Sequence, residues 1–194
     1  MGAGVWAGAS VAAATRARIE AVAKRRDMET PAVQVLAMGA LRRYSERLTM
    51  SIQKKAEVVV AMDKDRLRAA AMAAAGNAYA PYSRFRVGAA LLLEDGTVVT
   101  GCNVENCSYR LTSCAEQGAI ARAVAESGPG IRVCAVAVAN LNGAASMPCG
   151  ACRQTLAEFG GDAMVVLYPG EGGGMEETTL GALLPKAFRG EYIG

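Results

Sequence analysis

Hydrophobic and polar residues recur with two different periods after residue 63, and these periods predict helices and strands in turn. A period near 3.6 predicts helices over residues 63–78, 115–127, 150–159 and 180–188. Apolar runs of strand length occupy residues 85–93, 97–102, 131–139 and 163–168. The last two runs are almost continuously apolar, which is typical of strands covered on both faces. This order of elements predicts an α/β layered domain with a mixed sheet.

Turn residues separate these elements. Glu94-Asp95-Gly96 predicts a hairpin between the first two strands. Residues 128–130 (Gly-Pro-Gly) end the second helix, and the glycines at 170–174 predict a loose loop.

Residues 1–61 predict a helical N-terminal extension that precedes the main domain at 62–194. Thr30-Pro31 is typical of an N-cap followed by proline in the first helical turn. The apolar residues that follow recur every three or four positions and form one stripe: Ala37, Leu41, Tyr44, Leu48 and Ile52. Such a stripe needs a surface to pack on, either the main domain or a partner subunit. In the alternative hypothesis, translation starts at Met50 or Met62 and the mature protein lacks the extension.

The charge distribution argues against nucleic acid or a membrane as a partner. Residues 1–60 hold ten Lys and Arg against five Asp and Glu, whereas the rest of the chain has a net charge of −2. Only 5% of residues are aromatic, and a single-strand-binding surface needs basic grooves with exposed rings. The basic excess is more typical of a solvated helix face than of a surface for nucleic acid or lipid. No apolar run reaches the roughly 18 residues that cross a bilayer.

The cysteines indicate metal chemistry in a reducing compartment. Six cysteines in 194 residues are too few for a disulfide-dense scaffold, and the uncharged first fifteen residues lack the basic start of a secretory signal. We therefore expect a cytoplasmic protein. Cys114-Ala115-Glu116 and the segment Pro148-Cys149-Gly150-Ala151-Cys152 each begin a predicted helix. Helix N-termini favour the thiolates that a metal needs.

Three thiolates suit a tetrahedral zinc site, with Cys114, Cys149 and Cys152 as the ligands. Three protein ligands leave a fourth position for water, as in catalytic zinc sites. Glu116 lies two residues beyond a ligand, where a carboxylate can act as general acid and base. The residues alone leave two alternatives open: a closed structural zinc site and a thioredoxin-like redox pair. In a closed site the fourth sulfur comes from Cys102, Cys107 or Cys134, although Cys134 is more typical of a buried core residue.

The pairing of C-x-E with P-C-x-x-C is the signature of zinc nucleobase deaminases, here in an all-cysteine form. The chain resembles cytidine deaminases in the order and spacing of five segments: 79–93 (YAPYSRFRVGAALLL), 101–109 (GCNVENCSY), 114–120 (CAEQGAI), 148–154 (PCGACRQ) and 183–188 (LLPKAF). The resemblance implies a three-layer α-β-α domain with a mixed, mainly five-stranded sheet. It also implies one Zn²⁺ per subunit and a homotetramer with shared active sites.

The resemblance assigns further roles by position. Asn103 and Glu105 are expected to bind the ribose hydroxyls, Phe85 to stack on the pyrimidine, and Ala115 to offer its backbone amide to the base. By residue type alone, Asn-x-Glu is more typical of a turn and Phe85 of a core position. Tyr109 and Phe188 are expected to reach a neighbouring subunit's site, although a C-terminal helix that packs Phe188 on its own domain is the alternative. Cys107 replaces a small residue at another such position.

Gln117 departs from the all-cysteine branch, which usually has Arg after the glutamate. Three thiolates on Zn²⁺ carry a net charge of −1, and Gln117 does not offset it. We therefore predict activity with an alkaline limb shifted upward in pH, and a downward shift of that limb in Gln117→Arg. Arg153 either supplies the missing positive charge or is an ordinary surface helix residue.

These observations predict zinc-dependent hydrolytic deamination of cytidine, and of 2′-deoxycytidine, to the uridine nucleoside with release of ammonia, as in pyrimidine salvage. One alternative is deamination of another cytosine nucleoside, such as a blasticidin-type antibiotic. A second alternative is a non-catalytic structural zinc module. Deamination of nucleic acid is disfavoured by the weak basic and aromatic signal after residue 60.

Overall fold

The computed structural model describes residues 63–189, together with four helical residues of the N-terminal region: Gly39, Arg42, Arg43 and Glu46. The chain divides into two compact units, Met1–Ala56 and Glu57–Gly194. In the first unit, the guanidinium of Arg42 donates to the carboxylate of Glu46 at 3.0 Å, an exposed pair that contributes little stability. The predicted Thr30-Pro31 cap and apolar stripe lie outside the described residues, so the extension and its boundary remain predictions.

The second unit contains helices and strands in the predicted order. Their bounds are α1 (Lys64–Ala75), β1 (Val87–Leu93), β2 (Val98–Cys102), a 3₁₀ turn (Tyr109–Leu111), α2 (Ala115–Ser127), β3 (Val133–Asn140), α3 (Gly150–Phe159), β4 (Val165–Pro169), β5 (Met175–Thr179) and α4 (Leu180–Leu183). The side chain of Asp63 caps α1, since its Oδ1 accepts from the amide of Arg66 at 2.9 Å. Within the described residues, no helix is long and apolar enough to span a membrane.

The strands of this unit form a five-stranded sheet in the order β2-β1-β3-β4-β5. The β1 strand pairs antiparallel with both β2 and β3, β3 pairs parallel with β4, and β4 pairs antiparallel with β5. The sheet is therefore mixed, as predicted. All eight residues of β3 are buried, which agrees with its almost continuous apolar sequence.

Helices cover the sheet on two sides, which confirms the α/β layered fold. On one side α1 packs on β1 and β3 through a small core that includes Leu67 and Ala71. On the other side α2 and α3 enclose a larger core that includes Leu91, Ile120 and Leu156. Cys134 is fully buried in β3, as its apolar setting indicated.

Glycines let both flanking helices approach the sheet closely. A Cβ on Gly101 of β2 would lie 2.6 Å from the carbonyl oxygen of Ala115 and nearer still to the amide of Ala119. A Cβ on Gly88 of β1 would overlap the backbone of α1. The first turn of α2 therefore rests directly on the strand backbone at Gly101.

The structure corrects one predicted element near the C-terminus and adds another. The predicted helix over 180–188 ends at Leu183, because Pro185 disfavours helical geometry at Leu184, whose φ and ψ are −136° and 70°. Met175–Thr179 forms the edge strand β5, a segment to which the sequence pattern assigned no element. The polar sequence MEETT has no apolar alternation to reveal it, since an edge strand is defined by its pairing with β4.

Candidate metal and active site

Two helix N-termini deliver the predicted ligands to one place. Cys114 is the N-cap of α2 and Cys149 is the N-cap of α3, and both have extended backbone angles. Neither cysteine side chain makes a capping hydrogen bond to its own helix, so both sulfurs are available to a metal. Cys152 follows in the first turn of α3 and is buried.

The sulfur atoms of Cys114, Cys149 and Cys152 all lie within 4.8 Å of one another. Sulfur ligands about 2.3 Å from one zinc ion lie less than about 4.6 Å from each other, so this spacing suits a single ion. Within residues 63–189, Cys102, Cys107 and Cys134 do not belong to this cluster. The described residues therefore provide three thiols, which favours an open site over a closed four-sulfur site.

Hydrogen bonding inside the cluster separates the acidities of its thiols. The Cys152 thiol donates to Cys114 and lowers the pKa of Cys114 to about 7, against the opposing effects of burial and of the charge of Glu116. The pKa of Cys152 is raised, first by this hydrogen bond and then by burial. Cys114 is therefore the first of the two to become a thiolate, which is the form that binds zinc.

Glu116 lies in the first turn of α2 and is only 4% exposed. Burial raises the pKa of its carboxyl, and the main opposing effect is a hydrogen bond from the backbone amide of Glu116 itself. A carboxyl with a raised pKa exchanges protons more readily near neutral pH. Its position beside the thiol cluster is the one that the C-x-E spacing predicted.

An open cleft of about 190 Å³ lies above this cluster. The predicted site residues among its lining are Phe85, Asn103, Cys114, Ala115, Glu116 and Cys149. The sequence did not indicate the others, which are Val87, Thr112, Val138, Ser146 and Met147. Val87 and Val138 reach the cleft through the pairing of β1 with β3, and none of these five belongs to a motif that sequence alone would single out.

Asn103 and Glu105 hold the segment that carries Phe85. The amide nitrogen of the Asn103 side chain donates to the carbonyl of Phe85 at 2.9 Å, and its oxygen accepts from the amide of Val87 at 2.9 Å. Glu105 accepts from the amides of Tyr82 and Ser83 and from the Ser83 hydroxyl. The hydrogen bond from the Ser83 hydroxyl is the largest cause of a lowered pKa of Glu105, and the hydrogen bonds from the amides of Tyr82 and Ser83 lower it further.

Other predicted residues, Glu105 among them, do not line the cleft. Tyr109 and Phe188 are 74% and 61% exposed, respectively. Gln117 is half-buried on α2, and its effect on the metal site remains a prediction. Arg153 is not an ordinary surface residue, because its side chain is partly buried and donates to two backbone carbonyls.

The fold and site define a class of protein: an α/β domain in which two helix N-termini present three thiols and a buried carboxylate to an open cleft. The model of the family described as "Cytidine and deoxycytidylate deaminase zinc-binding region" matches residues 62–168. The chain belongs to this zinc-binding deaminase family. The family and fold predicted from the sequence are thereby confirmed.

Similar proteins extend over most of the described region. The chain is 48% identical over 132 residues to a cytidine deaminase of Sporosarcina psychrophila, which covers 68% of this chain and 96% of that protein. The crystal structure of cytidine deaminase from Mycobacterium tuberculosis matches with a TM-score of 0.59 and 47% identity over 66% of this chain and 98% of that one. The Burkholderia pseudomallei enzyme structure matches with a TM-score of 0.60 and 46% identity, over 66% and 100% of the two chains.

Proposed function

We propose that this chain is an enzyme that hydrolyses cytidine to uridine and ammonia with the help of zinc, and that it accepts 2′-deoxycytidine as well. One observation carries the proposal: the buried carboxylate of Glu116 lies beside a three-thiol cluster at an open cleft. The proteins similar to this chain over nearly their full length are named cytidine deaminase. A role in pyrimidine salvage follows from the reaction.

Cys114, Cys149 and Cys152 would hold the zinc ion. When bound, zinc lowers the pKa of a water molecule so that the water can act as a nucleophile near neutral pH. The N-termini of α2 and α3 point their amide groups and partial positive charge toward the cluster. These dipoles offset part of the negative charge of the three thiolates.

Glu116 moves the protons of the reaction. Its carboxylate accepts a proton from the attacking water and passes it to N3 of the cytosine ring. A second proton, taken from the new hydroxyl at C4, goes to the amino nitrogen, which leaves as ammonia and yields the C4 carbonyl. Burial keeps the carboxyl out of bulk water, so the proton stays on the reaction path.

Residues in and near the cleft orient the nucleoside. The ring of Phe85 provides an apolar surface for the pyrimidine, and the amide of Ala115, at the N-terminus of α2, donates to the base. Asn103 keeps one amide proton for a ribose hydroxyl after its bond to Phe85. Glu105 accepts from the remaining hydroxyl in addition to its bonds within the 82–83 turn.

The proposal is tested by following cytidine absorbance with zinc-loaded protein. Glu116→Gln should keep the zinc and lose activity by about 10²–10⁴-fold, because the proton carrier is gone. Glu126→Gln is the matched control, since this carboxylate lies exposed at the far end of the same helix. Zinc-loaded wild type without turnover, or Glu116→Gln with wild-type turnover, would contradict the proposal.

The two alternative functions are not favoured. In a purely structural zinc module, a buried carboxylate that lines an open cleft, as Glu116 does, would have no function. A blasticidin-type substrate is tested by comparing its turnover with that of cytidine on the same preparation.

A second copy of the chain is proposed to cover an aromatic patch beside the cleft. The patch consists of exposed apolar side chains from the 79–82 turn and the 104–111 loop: Tyr79, Tyr82, Val104, Tyr109 and Leu111. The rings of Tyr82 and Tyr109 meet edge to face, with centroids 6.0 Å apart. Exposed apolar patches of this kind mark protein interfaces. Phe188, also exposed, is proposed to contribute to a neighbour's site in a homotetramer.

Light scattering after size-exclusion chromatography tests this assembly. The wild type should elute as a tetramer, and Tyr109→Ala should shift the population toward smaller species with a raised KM for cytidine. A fully active monomer would contradict the shared site.

A cytoplasmic location is also proposed, because the thiol cluster requires reduced cysteines.

A further inference from the structure

Arg153 connects two segments that are far apart in sequence. It is the fourth residue of α3, directly after the ligand Cys152. Its Nε donates to the carbonyl oxygen of Pro148 at 2.7 Å, and its Nη1 donates to the carbonyl oxygen of Leu183 at 3.0 Å. The side chain therefore joins the loop before α3 to the end of α4.

The loop that carries Cys149 has no regular structure between β3 and α3. Its first half is held by Asn140, whose side chain accepts from the amides of Asn142 and Ala144 and donates to Ser146. The Ser146 amide also donates to the carbonyl of Pro169 on β4 at 2.9 Å. These bonds end at Ser146, three residues before Cys149.

The bond from Arg153 acts on the second half of this loop. The carbonyl of Pro148 belongs to the same peptide unit as the amide of Cys149, so fixing that oxygen fixes the plane from which the Cys149 side chain departs. Cys149 makes no side-chain capping bond of its own and is exposed. Pro148 is fully buried, which holds the other side of the same peptide.

We propose that Arg153 is a positioning residue that orients the metal ligand Cys149 through the carbonyl of Pro148. The inference rests on the proposed metal site but not on cytidine as the substrate. Partners of ligands that fix their orientation typically contribute about 10–100-fold to metal affinity. The planar guanidinium suits this task, because its donors are fixed in directions that reach two carbonyls at once.

This role differs from that of a positive charge that balances three thiolates. A charge-balancing role would be preserved by lysine, whose ammonium group keeps the charge. A positioning role would not be, because an ammonium on a flexible stem lacks the fixed fork of donors. Arg153→Lys and Arg153→Gln therefore separate the two roles.

The experiment measures the zinc Kd of the full chain by competition with a chelator, and the thiolate absorption of the Co²⁺-loaded protein. Gln154→Ala is the matched control, because Gln154 lies next on α3 and donates to the carbonyl of Phe188 at 2.7 Å. It loosens the C-terminal segment without touching the Pro148 carbonyl. Thermal unfolding of each metal-free variant reports general loss of stability separately.

We expect Arg153→Lys and Arg153→Gln to raise the zinc Kd by about 10–100-fold and to change the Co²⁺ spectrum, while Gln154→Ala stays like the wild type. If Arg153→Lys keeps the wild-type zinc Kd while Arg153→Gln raises it, the inference is overturned. Arg153 would then act by balancing the negative charge of the thiolates. A lower metal-free Tm with an unchanged Kd would overturn it in favour of a purely structural role. If Arg153→Gln does not fold, Arg153→Lys alone decides.

Cytidine turnover, measured in parallel, separates this inference from the proposed function. A wild-type protein that binds zinc without deaminating cytidine contradicts the function. The zinc Kd values of the variants then still decide the role of Arg153.

Discussion

At the scale of single residues, the site combines groups whose surroundings change their acidity in opposite directions. Burial raises the pKa of Glu116, and the Cys152 thiol lowers the pKa of Cys114. The same fold thus keeps a carboxyl able to carry protons and a thiol ready to lose one. Such separation is expected where one site needs both a proton carrier and metal ligands.

Glu105 gives a pH-dependent prediction at this scale. Hydrogen bonds lower its pKa from the usual 4.5, with the Ser83 hydroxyl as the largest cause. A carboxyl with a depressed folded-state pKa stabilises the fold above its unfolded pKa, and this stability is lost as the pH falls through the folded pKa. Ser83→Ala should therefore raise the pKa of Glu105 and move the acid loss of stability upward, closer to pH 4.5.

The measurement is the Tm as a function of pH below 5, with the Glu105 carboxyl followed by NMR titration. Ser83→Thr keeps the hydroxyl and should resemble the wild type, and Ser127→Ala controls for loss of an exposed serine. An unchanged Glu105 titration in Ser83→Ala would show that the two amide donors are sufficient.

At the scale of elements, the position of α2 depends on the glycine under it. The helix carries Cys114, Ala115 and Glu116 in its cap and first turn, and that turn lies on the backbone of Gly101. A side chain at position 101 would push the turn away from the sheet. The other two ligands lie on α3, which would not move with it.

Gly101→Ala should therefore lower kcat and zinc affinity beyond its effect on stability. Overpacking costs about 1–3 kcal/mol, and a displacement near 1 Å at a reacting group costs about 10²-fold in rate. Gly88→Ala is the matched control, because its Cβ would meet α1 on the opposite face. Kinetics, zinc Kd and unfolding free energy are measured for both.

We expect both variants to lose similar amounts of stability. Only Gly101→Ala should also lose kcat. Equal kinetic effects in both variants would mean that the sheet as a whole determines the geometry of the site, rather than the contact between α2 and Gly101.

At the scale of the whole molecule, every residue of the proposed site lies between residues 85 and 188, within the second unit. The core on the α1 side closes within the same unit, since Leu67 and Ala71 pack under β1 and β3. Relatives that match over nearly their full length do so across about two thirds of this chain. The segment at 1–61 is thus proposed to be dispensable for catalysis.

A chain that starts at Met62 should fold, bind zinc and deaminate cytidine with the kinetics of the full chain. The control is a chain that starts at Ala78, which lacks α1 and exposes the sheet face under Leu67, and which should aggregate. Purification, zinc content and kcat/KM are compared. An inactive or insoluble chain from Met62 would show that the extension completes the domain or its assembly.

The sequence by itself determined two things about this protein. These are the helices and strands whose hydrophobic pattern is strongly periodic, and the side chains that form the metal and proton-transfer groups of the site. The bounds of α2 and α3 agree with the predicted helices because a glycine follows each of them directly, Gly128 after α2 and Gly160 after α3. The C-x-E and P-C-x-x-C spacings identified Glu116 and the three cysteines because both patterns are set within one helical turn. These are short-range properties, so the residues concerned are neighbours in the chain.

Only the tertiary structure decided what distant segments do together. It brings Cys114 near Cys149, pairs the polar β5 with β4, and ties Arg153 to Leu183. It also selects Val87, Val138 and Met147 as cleft residues. None of these is marked by a local pattern, because each depends on how close packing and strand register place residues that are far apart in sequence.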